Sequence, residues 1–270
     1  MNSLKWLSII TINYNNVNGL KKTLESVINQ TSNEYEFIVI DGGSTDGSKE
    51  LLKVFAQHFT YCISEEDNGI YHAMNKGIKQ AHGDYCFFLN SGDYFVNEAV
   101  IERISGCNFK EDVIFGNLLV FYNDVFIGRS AGKEKLTFLD VYVSLIKHQS
   151  TLIRRKLFDK YGCYNEALKI VADWEFFIKT VGLGGVTYRY LNIDIACFDN
   201  NGISNNSEQL TVNERKSVIE ACIPEMMQAD YAYLYKNANY EIVTNYSITR
   251  FLLRILVKVS KILRKIFSGE

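Results

Sequence analysis

FFLNSGDYF, residues 87–95, holds an apolar run that stops in a short polar turn and then resumes as aromatic sequence. Phe87, Phe88 and Leu89 have the composition of a buried strand. Asn90, Ser91, Gly92 and Asp93 are turn formers. Two readings compete. The segment is an ordinary turn, or its one carboxylate lies just beyond the carboxyl end of a sheet strand, where open α/β sheets place their ligands. The flanking sequence bears on the choice. Trp6 to Ile12 is apolar and ends in Asn13-Tyr14-Asn15-Asn16, and Phe37 to Ile40 ends in Asp41-Gly42-Gly43. Between them Leu20, Leu24, Val27 and Ile28 recur at helical spacing. A helix from about Asp46, with Leu51, Leu52, Phe55 and Phe59 inward, leads to a short strand, Tyr61 to Ile63. Helices are expected at Ile70 to Ala81 and Asn97 to Ser105, on either side of the strand Tyr85 to Leu89. This alternation predicts an α/β fold, with a mostly parallel sheet covered on both faces.

Beyond Asp112 the pattern changes. VIFGNLLVFYNDVFIG, residues 113–128, predicts a hairpin turning at Asn123-Asp124, and a helix carrying Asp173, Trp174, Phe176 and Phe177 precedes strands from Val186 to Phe198. FDNNGISNNSEQ, 198–209, reads either as a loop that closes over a ligand or as a plain connection. The tail, ITRFLLRILVKVSKILRKIF (248–267), sets Arg250, Arg254, Lys258, Lys261 and Lys265 on one helical face. Residues 248–270 carry net +5, leaving −7 for the rest of a chain whose total is −2. Such a basic amphipathic helix suits an anionic membrane surface, and basic residues interrupt it too often for a span. The expected organisation is 1–210 as the main domain, 211–247 as a helical extension and 248–270 as the basic helix.

Composition narrows the classes. Of 270 residues, 47% are hydrophobic and 22% charged, enough for a sizeable core. The small net charge gives no reason to expect a nucleic-acid partner. Six scattered cysteines show no metal or redox spacing and fit a reducing cytoplasm. The N-terminal apolar stretch is too short for a signal peptide and reads as the first strand. DGGSTDG, 41–47, has the glycines and caps of a helix entry, with Asp46 or Thr45 as N-cap. It lacks GxGxxG spacing, and no GxxxxGK[ST] occurs, so dinucleotide and P-loop folds are disfavoured.

Four blocks, in order, carry a resemblance: TINYNN (11–16), DGGSTDGS (41–48), SEEDNGIYHAMNKGIKQAHGDYCFFLNSGDYF (64–95) and HQSTLIRRKLFDKYGCYNEALKIVADWEFFIK (148–179). Together they resemble the family-2 inverting glycosyltransferases of the GT-A fold over about residues 1 to 205. The resemblance implies transfer of a hexose or N-acetylhexosamine from a nucleotide-activated sugar, with UDP expected, to a saccharide or lipid-linked acceptor in surface polysaccharide synthesis. It places Asp93 as ligand of a divalent cation, Mn²⁺ or Mg²⁺. Asn90 and Gly92 stand where the family often has acids, so one carboxylate remains and a metal-free reaction stays open. Thr11, Asn13, Asn15, Asp41 and Ser44 are implied around the base and ribose, with Asp41 accepting from the uracil N–H. Asp67, Lys76, Ser91 and Gly92 are implied near the nucleotide and its phosphates, although Lys76 also reads as a solvated helix residue.

For the second half, the resemblance makes Asp173 the base that takes the acceptor proton, with an N-cap as its bland alternative. Glu175, about 200° further round a helix, should not share that site. His148 and Trp174 are implied near the acceptor, each with a packing alternative, and Arg154 and Arg155 read equally as phosphate contacts or exposed charges. Ile70 and Met74 are expected in the core, and Asn75 in helix packing. The expected location is the inner face of the cytoplasmic membrane. A second hypothesis is a catalytically weak sugar-nucleotide binder of the same fold. A nucleotidyltransferase is disfavoured because no Gly-rich loop lies near residues 8 to 20.

Overall fold

A computed structural model describes residues 5–199 and 208–244. The tail 248–270 and most of the 198–209 segment lie outside the described residues. Residues 1–222 form one compact unit and 223–270 another.

Four parallel strands set the frame: β1 (Leu7–Asn13), β2 (Tyr35–Asp41), β3 (Tyr61–Ser64) and β4 (Tyr85–Phe88). They stand in the order β3-β2-β1-β4. Every residue of β1 is buried, which is why the sequence there does not alternate between apolar and polar positions. Register fixes what meets at the carboxyl edge. Asn13 lies opposite Asp41, and Asp41 opposite Ser64. Past Phe88 the chain stays alongside β1, as the N–H of Leu89 bonds to Ile10 C=O and that of Ser91 to Ile12 C=O.

Helices lock this half. In α1 (Val17–Ile28), Leu20, Thr23, Leu24 and Val27 are buried at one-face spacing, and Asn16 caps the start by accepting from the Gly19 N–H at 3.1 Å. In α3 (Ile70–Gln80), Gly77 sits so close to β1 that a Cβ there would come within 2.4 Å of Ile10 Cγ2. Backbone contact of that kind admits only glycine. Helices α2 (Ser48–Val54) and α4 (Val100–Ser105) follow the expected rhythm, with α4 starting three residues later than Asn97.

The second half departs from a mostly parallel sheet. β5 is Tyr94–Phe95, and β6 (Val113–Tyr122) and β7 (Val125–Ser130) form the expected hairpin. Asn123 and Asp124 both take positive φ, 48° and 59°, the conformation that matches the strand twist. After α5 (Phe138–Tyr142), β8 (Thr151–Arg154) inserts antiparallel between β4 and β6. β9 (Tyr188–Asp199) then pairs parallel with β6 and antiparallel with β5. Because β8 runs against β4, the turn that enters it begins where β4 ends. That places His148 beside residue 90, while Arg154 lies opposite Tyr85 at the other edge.

Helix α6 (Lys156–Tyr161) follows β8, and α7 (Ala172–Phe177) buries Trp174, Glu175, Phe176 and Phe177. Helix α8 (Glu208–Cys222) belongs to the first unit. Its Glu214 accepts the N–H groups of Lys169, Ile170 and Val171 at 2.7, 2.9 and 3.3 Å. That unit therefore runs past the expected limit at residue 210. The single proline, Pro224, separates α8 from α9 (Glu225–Thr244) in the second unit. No described helix is long and apolar enough to cross a membrane.

Candidate functional site

The loops at the carboxyl edge enclose a cavity of about 600 Å³. Its wall combines the end of β1, the start of α3, the 90–93 turn, the His148 turn and the end of β9. Residues from across the chain reach it because four strand ends and the start of β8 share one edge.

Gly92 has φ +105° and lets the turn fold back under Thr23, whose hydroxyl accepts from the Gly92 N–H at 2.9 Å and donates to Asp93 C=O at 2.7 Å. Asp93 itself is 5% exposed. Burial pushes its carboxyl up to about 7, while the His148 charge and the Asp199 and Asn90 backbone N–H groups pull the other way. Next to it, Oδ1 of Asn90 is buried without a hydrogen-bond partner. Two oxygen donors in one turn, one anionic and one an unused amide acceptor, fit a hard divalent cation. Among the described residues no group of three His, Cys, Asp or Glu side chains could complete such a site.

Beside that turn stands a connected pair. Nδ1 of His148 lies 2.7 Å from Asp173 Oδ2, and Tyr71 Oη donates to Asp173 Oδ1 at 3.0 Å. Burial alone would raise the Asp173 carboxyl. The His148 charge and the hydrogen bonds from His148, Tyr71 and the Trp174 N–H outweigh it and hold the group below the ordinary carboxylate range. Tyr71 also donates to Ile170 C=O at 2.6 Å, tying α3 to the segment before α7. On its other side, His148 Nε2 lies 3.4 Å from Asn90 Nδ2. Asp173 thus connects, through two side chains, to the turn that carries Asp93.

The residues expected around the nucleotide separate into wall and scaffold. Asn13, Asp67, Ser91 and Gly92 line the cavity. Thr11 does not: it is wholly buried, and its hydroxyl donates to Leu89 C=O at 2.8 Å, joining β1 to the end of β4. Asp41 is also wholly buried. Its oxygens accept from Asn13 Nδ2 at 2.7 Å, Ser44 N–H at 3.0 Å, Ser44 Oγ at 2.6 Å and Ser64 Oγ at 2.5 Å. Burial would raise this carboxyl, but those bonds hold it low. It fixes three strand ends instead of presenting an open acceptor to a base. Ser44 is buried with it and accepts the Asn15 N–H at 2.7 Å, and Asn15 Oδ1 in turn accepts from Thr45 N–H. Asp46 braces the same loops, accepting from the Val17 and Ser48 N–H groups, with Gly47 at the cap position.

Lys76 is not on the wall. Its ammonium pairs with Asp67 at 2.5 Å and Glu65 at 2.7 Å, so its charge reaches the cavity only through Asp67, which His72 also approaches at 3.2 Å. Trp174 packs. Its Nε1 donates to Val141 and Tyr142 carbonyls at 2.9 and 3.1 Å, and the Arg215 guanidinium covers the ring at 4.2 Å, leaving no face for an acceptor. Arg154 pairs with Asp112 at 3.2 Å and Arg155 donates to Gly83 C=O, both at the far edge of the sheet. Glu175 is engaged by Lys179 at 2.7 Å. Asn75 bridges to Tyr164 and Glu166, while Ile70 and Met74, expected in the core, also form cavity wall.

Tyr14, Tyr71, Gln149 and Asp199 also line the cavity, and sequence reading did not single them out. Tyr71 bonds a partner 102 residues away. Asp199 ends β9 two residues past Cys197, which lies opposite Tyr94 at the start of β5, a pairing that no local pattern announces.

The sequence and the fold have counterparts. An uncharacterised glycosyltransferase of Mycobacterium tuberculosis is 32% identical over 219 residues, 78% of this chain and 82% of that one. The PGL/p-HBAD biosynthesis glycosyltransferase of Mycobacterium bovis is 28% identical over 205 residues, 73% and 78% respectively. The fold superposes on Staphylococcus aureus TarS, residues 1–349, in complex with UDP-GlcNAc, with TM-score 0.64 and 20% identity, covering 83% of this chain and 69% of TarS. The model of glycosyl transferase family 2 matches residues 8–162. That match exceeds half the chain and takes in both the turn of Asp93 and the turn of His148, so this protein belongs to glycosyl transferase family 2.

Proposed function

We propose that the cavity binds a UDP-sugar, with a hexose or N-acetylhexosamine as the moving group, and transfers it with inversion to a saccharide or lipid-linked saccharide hydroxyl. One observation carries the reading: a buried carboxylate held near a neutral-pH pKa, Asp93, faces the same cavity as a histidine paired to an ionised carboxylate, Asp173. Departure of a diphosphate and deprotonation of an alcohol need those two opposite electrostatic environments close together. UDP is favoured because the similar TarS structure holds UDP-GlcNAc.

The donor side is built for an extended nucleotide. Asn13, Asp67 and Tyr14 line the cavity. On the same wall Asp93 and Asn90 Oδ1 would hold Mn²⁺ or Mg²⁺, which would neutralise charge on the departing diphosphate. Asp173, kept ionised, drives removal of the acceptor proton. Tyr71 and His148 fix its carboxylate, so its direction is set before substrate arrives. The basic segment 248–270 is proposed to hold the enzyme on the anionic inner face of the cytoplasmic membrane. Removing it should abolish cosedimentation with phosphatidylglycerol vesicles, and unchanged cosedimentation would refute that part.

The decisive experiment is a thermal-shift panel of nucleotide sugars with and without Mn²⁺, followed by a transfer or hydrolysis assay. A true donor raises Tm by mass action, and more so with Mn²⁺. The reading fails if no nucleotide sugar shifts Tm.

A further inference from the structure

We infer that Glu214 is a positioning residue for the transfer. From α8 it fixes the backbone at 169–171 and, through Ile170 and Tyr71, the carboxylate of Asp173. The inference rests on the proposed transfer reaction and names a further residue on which that reaction depends.

Glu214 is 8% exposed and is not on the cavity wall. A buried carboxylate is costly unless hydrogen bonds replace its water. Here they do. Oε1 accepts the Lys169 N–H at 2.7 Å, and Oε2 accepts the Ile170 N–H at 2.9 Å and the Val171 N–H at 3.3 Å. Bonds to a charged acceptor are the strong ones, so three consecutive backbone donors aimed at one anion leave the segment little freedom. That hold has to come from elsewhere in the chain. Val171 stands at the cap position of α7 with no side-chain hydrogen bond to satisfy the helix start.

What Glu214 holds leads to the site in two steps. Lys169 and Ile170 line the cavity. The Ile170 C=O lies 2.6 Å from Tyr71 Oη, the hydroxyl that also meets Asp173 Oδ1 at 3.0 Å. Ile170 is gripped on both sides, its N–H by Glu214 and its C=O by Tyr71, and the same tyrosine touches Asp173. The next residue of α8 braces the far side. The Arg215 guanidinium covers the Trp174 ring at 4.2 Å and donates to Tyr142 C=O at 2.5 Å and Ser144 Oγ at 3.1 Å. Adjacent residues of one helix therefore secure the chain before and after Asp173.

Attachment of α8 alone does not call for an acid. Of the fifteen residues of α8, Glu214 and Val218 are the buried ones. Val218, one turn on and 3% exposed, supplies the apolar anchor. An apolar side chain at 214 would attach the helix without desolvating a charge, but it could not direct three N–H groups. Glu214 also lies beyond residues 8–162, the part that the family model matches. A helix outside the matched region thus sets the geometry of the proposed base. Misplacing a reacting group by about 1 Å can cost about 10²-fold in rate.

UDP-GlcNAc hydrolysis and UDP affinity, both measured with Mn²⁺ on wild type, Glu214→Gln and Val218→Ala, test the assignment. Glu214→Gln turns an N–H group toward backbone N–H groups. Its kcat should fall by about 10–100-fold, while the Kd of UDP changes by less than about twofold. Val218→Ala should lower Tm by opening a cavity under α8, yet keep kcat within about twofold of wild type. That split separates positioning from simple attachment of the helix. If Glu214→Gln does not fold, Glu214→Asp, which keeps the charge but withdraws it by one methylene, is read in the same way. A Glu214 variant with kcat within about threefold of wild type overturns the inference. So does a loss of kcat in Val218→Ala as large as that in the Glu214 variant, or a loss of UDP affinity that matches the loss of kcat. If wild type hydrolyses no nucleotide sugar, the proposed function falls and this inference with it. Normal hydrolysis by the Glu214 variant beside an active wild type removes the positioning role alone.

Discussion

Asp41 and Asp93 are the same residue type, both buried, both at the carboxyl edge of the same sheet, and their environments push them in opposite directions. Asp41 collects four donors from Asn13, Ser44 and Ser64, and stays ionised below the usual range. Asp93 is as buried but lacks such a cage, and burial lifts it to about 7. Carboxylates saturated by the protein hold strand ends together. A carboxylate held by backbone N–H groups alone, beside an orphaned amide oxygen, is prepared for something the chain does not itself supply. Both acids were read from sequence as ligand contacts, and the hydrogen-bond inventory separates them.

Asp93→Asn gives the largest expected change. Turnover should fall by about 10³-fold or more, because stabilisation of the leaving group is lost. Without metal the same variant should be more stable than wild type near neutral pH, since a buried carboxyl at its ionisation point is replaced by a neutral amide. A thermal melt in chelator, set beside the activity, checks both. A variant that is inactive and less stable would make Asp93 a scaffold residue like Asp41.

Asp41→Asn should do the reverse. Breaking a buried, fully bonded charge network costs about 3–5 kcal/mol of folding stability, readable as a lower urea midpoint. Intact stability with lost UDP-GlcNAc affinity would erase the distinction between the two acids.

pH sharpens it further. Asp93 has a folded pKa above its unfolded value of about 3.9, so the native chain binds the extra proton between roughly pH 4 and 7. Stability from this group is full at the acid end and declines as pH rises through that window, by a few kcal/mol in all. Asp41 is shifted down, so its contribution is present above about pH 4 and is lost as pH falls through its folded pKa. Urea titrations of Asp93→Asn and wild type in chelator should therefore diverge on going from pH 4 to 7. Parallel curves would remove the assigned environment. The smallest effect is on the cation alone: Asn90→Asp should tighten Mn²⁺ binding without nucleotide by about tenfold, by adding a second anionic oxygen to the turn. Calorimetry reads it directly, and unchanged affinity would place the cation elsewhere.

The parallel half was legible because its signals are local. Continuous apolar runs, helical spacing and turn residues at each strand end predicted β1 to β4 in place, along with the common edge. The second half was not. β8 is four residues long and gains its antiparallel partners β4 and β6 from distant sequence, so nothing in TLIR announces that it interrupts a parallel sheet. The site divided the same way. Asp93 and Asp173 stand out by motif, but a strand buried on both faces does not tell which side chains point toward a ligand, so Thr11 read as a contact when it faces Leu89. Trp174 stayed open between acceptor contact and packing because Arg215, its cover, arrives from α8. Ser64 completes the Asp41 cage from a strand 23 residues on, and Tyr71 meets Asp173 only in three dimensions.

The direct test uses the paramagnetism of Mn²⁺ in the ¹⁵N-histidine-labelled protein with UDP. A cation held at Asp93, on the cavity that His148 also lines, should broaden the His148 ring signals strongly and leave the exposed His58 and His82 sharp, and Asp93→Asn should abolish the broadening. Sharp His148 signals in the Mn²⁺–UDP complex, with UDP demonstrably bound, would contradict a shared cavity.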